Sequence, residues 1–166
     1  MADSERTRTY SWQDPLASAA KIADMSGLEF LQAIAAGKLP APPIAQTLGF
    51  TLSEVSGGLA VFTVEPKEFH YNPIGVVHGG LASTLLDSCM ACAVQSTLPR
   101  GKAYTTLELK VNLVRAITSD TGLLRCEGRV IHAGKQVGTS EGRITDAQGR
   151  LYAHGTTTCM LFEVKR

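Results

Sequence analysis

Apolar and polar positions change period along the chain, and each change marks an element. Residues 15–37 carry Leu28, Leu31, Ile34 and Ala35 at helical spacing, with Pro15 at the front and Gly37 as a stop, which predicts a helix over 15–37. Leu39 to Ile44, LPAPPI, predicts an extended connector. Phe50, Leu52 and Val55, then Ser56-Gly57-Gly58, then Leu59, Val61, Phe62 and Val64 predict a β-hairpin that Pro66 ends. One long, mostly apolar helix over 78–98 follows. Beyond Pro99-Arg100-Gly101 the chain reads as four strands: 102–114, with Leu107, Leu109, Val111 and Leu113 on one face, then 122–132, 136–145 and 151–162. Gly149 suits a positive φ in the last turn. Two strands, one helix and four strands predict an α+β layer, a curved antiparallel sheet wrapped around the helix. Met1 to Asp14 is polar, without apolar period, and reads as mobile.

Composition narrows the class. With 166 residues, 44% hydrophobic and 19% charged, the chain suits one globular domain with a real core. A net charge of +1 makes no case for nucleic acid or an anionic membrane. Cys89, Cys92, Cys126 and Cys159 form no disulfide framework, and the Cys89-x-x-Cys92 pair lacks a second pair of ligands. Buried reduced thiols and no metal are expected. The polar N-terminus has no signal core, and Asp87 interrupts the central helix, so the expectation is a cytoplasmic protein.

The chemistry concentrates between Tyr71 and Leu98. Asn72, Gly75 and His78-Gly79-Gly80 open the helix, and Asp87 stands alone on it. The first amides of a helix lack internal partners and suit a developing negative oxygen. A carboxylate on an apolar helix is costly to bury without a partner.

The run Asn72-x-x-Gly75-x-x-His78-Gly79-Gly80 with Asp87, Thr105, the turn His132-Ala133-Gly134-Lys135 and Asp146-x-x-Gly149 resembles the PaaI-like hotdog-fold acyl-CoA thioesterases. The likeness covers about residues 45–163 and implies a hotdog domain over 45–166 after a partly helical N-terminal extension, 1–44. It implies hydrolysis of an acyl-CoA, with coenzyme A as part of the substrate and no other cofactor. In this division of labour the Gly79 amide polarises the carbonyl, and Asp87 attacks it or takes a proton from water. Asn72 holds water, leaving group or loop, and Thr105 orients water. A pantetheine arm would run past Asn112, Arg115, His132, Gly134 and Lys135. The implied acyl groups span arylacetyl, hydroxybenzoyl and medium-chain types, and Leu81, Leu85, Met90 and Val94 are candidate pocket lining.

Each residue has a plainer reading. His78 is expected to hydrogen-bond backbone and shape the loop rather than move protons. Gly80 serves close packing, Asn72 a turn, Thr105 a strand, and Asp87 a structural ion pair. Strand-end solvation accounts equally well for Asn112, Arg115, His132 and Lys135, and His154 is a strand histidine.

Gly79 and Asp87 stand eight residues apart, about 12 Å along a helix. One helix does not bring both to one carbonyl, whereas two antiparallel copies do, so a homodimer is expected. The resemblance implies further pairing to homotetramers. A non-catalytic acyl-CoA or acyl-carrier binding protein on the same fold is the alternative. A hydratase is disfavoured, because no histidine–carboxylate pair has suitable spacing.

Overall fold

The computed structural model describes residues 5–164. Six strands, all paired antiparallel, form one sheet: β1 (Phe50–Ser56), β2 (Leu59–Val64), β3 (Lys102–Leu113), β4 (Leu124–Ala133), β5 (Val137–Thr145) and β6 (Leu151–Glu163), in the order β1-β2-β4-β5-β6-β3. The long helix α4 (Gly79–Gln95) lies on one face of this sheet. This is the hotdog arrangement expected from the order of elements.

Glycines let the helix sit close to the sheet. Gly128, Gly142 and Gly155 are direct neighbours across β4, β5 and β6. A Cβ on Gly128 would stand 2.3 Å from the Cys89 carbonyl oxygen, and one on Gly142 2.7 Å from Met90 Cγ. Four residues before Gly142 on β5, a Cβ on Gly138 would meet Val94 Cγ1 at 2.6 Å. Ser140 Oγ donates to the Met90 carbonyl at 2.8 Å, binding sheet to helix. Leu81, Leu85, Met90 and Val94 are all buried; Leu85, Met90 and Val94 are core residues, while Leu81 also borders a cavity beside the start of α4.

The sheet does not cover α4 on every side. Gly80, Ser83, Thr84, Asp87, Ser88 and Cys92 remain partly exposed along one stripe of small and polar side chains. The Ser83 and Thr84 hydroxyls bond back to the Gly79 and Gly80 carbonyls, at 3.1 and 2.9 Å.

Three local expectations are corrected. The helix over 15–37 is broken: α1 (Pro15–Ala19) runs into a 3₁₀ turn, Ala20–Asp24, Met25 is extended, and α2 (Gly27–Ala35) starts afresh. Ser26 and Glu29 form a capping box that makes this second start favourable. The connector also holds a short helix, α3 (Pro43–Leu48), because Pro43 occupies its first turn, where no N–H is needed; Gly49 ends it at φ 70°. Finally, β3 carries a bulge between Thr106 and Glu108. Ahead of it Tyr104 and Thr106 face the core side; beyond it Leu109 and Val111 do, and Leu113 follows on that face at the strand's end beside Gly79, while Leu107 is exposed. The extra residue reverses the alternation.

The N-terminal extension shares the domain's core. Phe30 and Leu31 of α2 are buried in the same cluster as Leu85 and Leu86 of α4. Gly27 N–H donates to the Leu98 carbonyl at 3.0 Å. Residues 5–14 form no helix or strand, yet Arg6 pairs with Glu68 at 2.7 Å; residues 1–4 of the segment expected to be mobile lie outside the described residues.

Gly128→Ala should lower stability by about 1–3 kcal/mol or more, since its nearest contact is helix backbone. Gly142→Ala should cost less, because Met90 can adjust. Thermal melts of both variants check the order, which a milder effect at Gly128 would reverse.

Candidate active site

The loop before α4 is pinned from both sides, and this sets the position of Gly79. Val77 N–H donates to the Ile117 carbonyl at 2.9 Å and His78 N–H to the His70 carbonyl at 2.8 Å. Asn72 Oδ1 accepts from Ile74 and Val76 N–H at 3.1 and 3.3 Å, closing the turn that Gly75 completes at φ 82°. His78 caps the helix, its Nδ1 accepting from Gly80 N–H at 2.8 Å, as expected of a loop-shaping histidine. The Gly79 N–H makes no hydrogen bond among the described residues. It borders a cavity of about 320 Å³ with Asn72, His78, Leu113 and Arg115. A Cβ on Gly79 would lie 2.5 Å from Leu113 Cδ1, so glycine keeps this approach open.

Beneath the loop, His70 is buried. Its Nδ1 accepts from Lys67 N–H at 3.0 Å, so Nε2 carries the proton and donates to the Leu48 carbonyl at 2.8 Å. Burial pushes its pKa down, and the nearby Arg8 charge adds to that, against the Leu48 hydrogen bond.

Asp87 is half-buried on the open stripe of α4. Thr106 Oγ1 donates to its Oδ1 at 2.9 Å. No cation pairs with Asp87 among the described residues. Around it stand groups that stay neutral: burial raises the Cys92 thiol to about 12, and raises the Tyr104 hydroxyl and the Cys159 thiol as well. The four cysteines are free thiols; Cys126 Sγ lies 3.1 Å from Cys89 Sγ in the core.

Thr105 is exposed on the opposite side of β3 and does not approach Asp87 in this chain; Thr106 takes that place. The bulge after Thr106 hid this from counting alone. The remaining candidates fall into two groups. Arg115 borders the Gly79 cavity, donating to the Leu151 carbonyl at 3.3 Å, and Asn112 is exposed close by on β3. His132, Gly134 and Lys135 sit at the β4–β5 turn, where Val137 pairs with Met160 and Met160 with Thr105. Asn112 lies seven positions along β3 from Thr105, roughly 20 Å. One chain therefore does not gather both groups. At the turn, a Cβ on Gly134 would strike His132 Nε2 at 2.7 Å and the Val137 carbonyl at 2.8 Å.

The described residues thus combine a hotdog sheet, a helix-start amide without a partner and a helix carboxylate held by a hydroxyl. A family model for the thioesterase superfamily matches residues 74–153. A phenylacetic acid degradation-related protein of Ralstonia eutropha JMP134 superposes with a TM-score of 0.71 at 31% identity, over 78% of this chain and 98% of that one. The chain belongs to the thioesterase superfamily and is a thioesterase. The PaaI protein of E. coli shares the fold at a TM-score of 0.71 and 23% identity, over 85% of this chain and 99% of that one. By sequence, 1,4-dihydroxy-2-naphthoyl-CoA hydrolase of Listeria monocytogenes is 26% identical over 108 residues, 65% of this chain and 86% of that relative. Human acyl-coenzyme A thioesterase 13 is 27% identical over 109 residues, 65% of this chain and 76% of that relative. Among the described residues no helix is long and apolar enough to cross a membrane.

The His70 geometry carries a pH dependence. Its folded pKa lies below the unfolded value, so the unfolded state takes up its proton first as pH falls. The stability it contributes is present above about pH 6.5 and is lost as pH drops towards the folded pKa, at up to ~1.4 kcal/mol per pH unit. Urea denaturation at pH 7.5 and 5.5 should show a smaller pH difference in His70→Gln than in the wild type. An equal difference in both would exclude His70 as the source.

Proposed function

We propose that the protein hydrolyses acyl-CoA thioesters to the free acid and coenzyme A, at sites shared between two antiparallel copies of α4. The observation that carries this reading is the pairing of an unbonded Gly79 N–H with a carboxylate, Asp87, that has a hydroxyl donor but no cation.

In one site, the Gly79 amide of one subunit donates to the thioester oxygen as negative charge develops there, helped by the positive end of α4. The Asp87 carboxylate of the second subunit either takes a proton from water as it attacks the carbonyl carbon, or attacks the carbon itself to give an anhydride that water then cleaves. Either way the carbon–sulfur bond breaks: in the first route the proton taken by Asp87 passes to the departing coenzyme A sulfur, and in the second coenzyme A leaves as a thiolate that solvent protonates, before water cleaves the anhydride to the free acid and restores the Asp87 carboxylate. Thr106 positions Asp87 by holding one carboxylate oxygen, which leaves the other for the reaction. Asn72 shapes the loop with its carbonyl oxygen, while its Nδ2, without a partner among the described residues, is free to bind water or the leaving group. No cofactor beyond the substrate's own coenzyme A is invoked.

Pairing also answers the split among the coenzyme-binding candidates. The edge strand β3 has an unpaired side and exposes Leu107, Leu113 and Val114. Antiparallel pairing of two such edges sets the Arg115 end of one chain beside the His132 and Lys135 end of the other. Arg115 and Lys135 then meet phosphates from two subunits. Pairing of such dimers into homotetramers belongs to the same reading.

Release of free thiol from a panel of acyl-CoAs tests it. Asp87→Asn should lower kcat by about a hundredfold or more. Thr106→Val should lower it about tenfold or more, through the lost bond to a charged group, and by more than Thr105→Val does. Full activity in Asp87→Asn, or greater damage from Thr105→Val, would contradict the assignment. Wild type that binds acyl-CoAs without cleaving any would favour the binding-protein alternative.

A further inference from the structure

We infer that the N-terminal strap, residues 5–14, forms one wall of the acyl cavity and that Arg8 sets which acyl groups fit there. This rests on the thioesterase reading above.

Two cavities flank the His78-Gly79-Gly80 junction, and His78 borders both. The first contains Gly79, Leu113 and Arg115, the places given above to the carbonyl and the coenzyme arm. The second, about 530 Å³, is bounded by Leu48, Phe69, Tyr71, Leu81 and Thr84, with Arg8. A thioester oxygen held at the Gly79 amide, with its sulfur-bound arm along the first cavity, directs the acyl carbon into the second. Aromatic and aliphatic walls there suit an acyl group, and the size lies in the ordinary range for a ligand pocket.

Arg8 is held in this wall by bonds that a solvated surface arginine lacks. Its guanidinium donates to the Gln46 carbonyl at 2.9 Å and to the Thr47 carbonyl, both in the last turn of α3, where carbonyls lack helical partners. It lies over the Phe69 ring at 4.0 Å, with the Tyr10 ring at 5.0 Å. The Arg6–Glu68 pair ties the strap again beside Phe69. Truncating Arg8 uncovers Phe69 and opens that wall, so longer acyl chains gain room. Lysine keeps the charge but lacks the planar fork that spans two carbonyls and stacks on a ring.

The test is the ratio of kcat/KM for decanoyl-CoA to that for butyryl-CoA, in wild type, Arg8→Ala and Arg8→Lys. The ratio should rise about tenfold in Arg8→Ala and by less in Arg8→Lys. Both values come from one enzyme sample, so any loss of folded protein cancels. The same ratio in all three proteins would overturn the inference. If wild type cleaves neither thioester, the thioesterase reading fails separately. The strap is then judged by the ratio of Kd values for the non-hydrolysable decanoyl and butyryl thioethers of coenzyme A, where a shift in Arg8→Ala supports it and an unchanged ratio overturns it.

Discussion

The close approach of α4 to the sheet is the constraint on which the rest of the molecule depends. Helix backbone at Cys89 fills the space where Gly128 would carry a side chain, and Met90 reaches into the space at Gly142. Ordinary side chains there would lift the helix off the sheet and open voids around Leu85, Leu86 and Met90. With the helix seated, its apolar residues are spent on the sheet, and the stripe containing Thr84 and Asp87 is left without a covering layer of its own. The same seating fixes Asp87 against Thr106 and the Gly79 end against Leu113.

Function follows from the length of that stripe. The amide at Gly79 and the carboxylate at Asp87 belong to the two ends of a segment too long for one carbonyl group to touch both. The sheet repeats this division, with Arg115 at one end of β3 and the His132–Lys135 turn at the other. The proposed second, antiparallel copy would remove both mismatches at once. The small residues of the stripe leave room for such a neighbour to approach closely.

Much of this was legible in the chain. The hairpin, the long helix and the four later strands follow from apolar period and turn residues, and the junction of Asn72, His78, Gly79 and Gly80 with Asp87 pointed to the candidate site. What stayed hidden depends on strand pairing. Gly128, Gly142 and Gly155 are far apart in sequence and become a row only through register. The β3 bulge exchanged Thr106 for Thr105, a reversal that an alternating run of apolar residues does not disclose. Leu81, Leu85, Met90 and Val94 were equally consistent with core and pocket until the helix face was known, and of the four only Leu81 borders a cavity described above. One further signal was present in plain form: Ser26-x-x-Glu29 marks a helix start inside what apolar spacing read as a single helix.

The central claim is that one subunit supplies the Gly79 amide and the other supplies Asp87. Gly79→Pro removes that N–H at a first-turn position that accepts proline, the extended His78 before it suits a following proline, and the added ring requires the Leu113 side chain to move aside. Gly79→Pro and Asp87→Asn should each be nearly inactive alone. Co-expressed and randomly paired, they should recover about one quarter of wild-type activity, since half the dimers are mixed and each mixed dimer holds one intact site. Activity that stays at the level of the single variants, in a preparation shown to contain mixed dimers, would contradict the shared site.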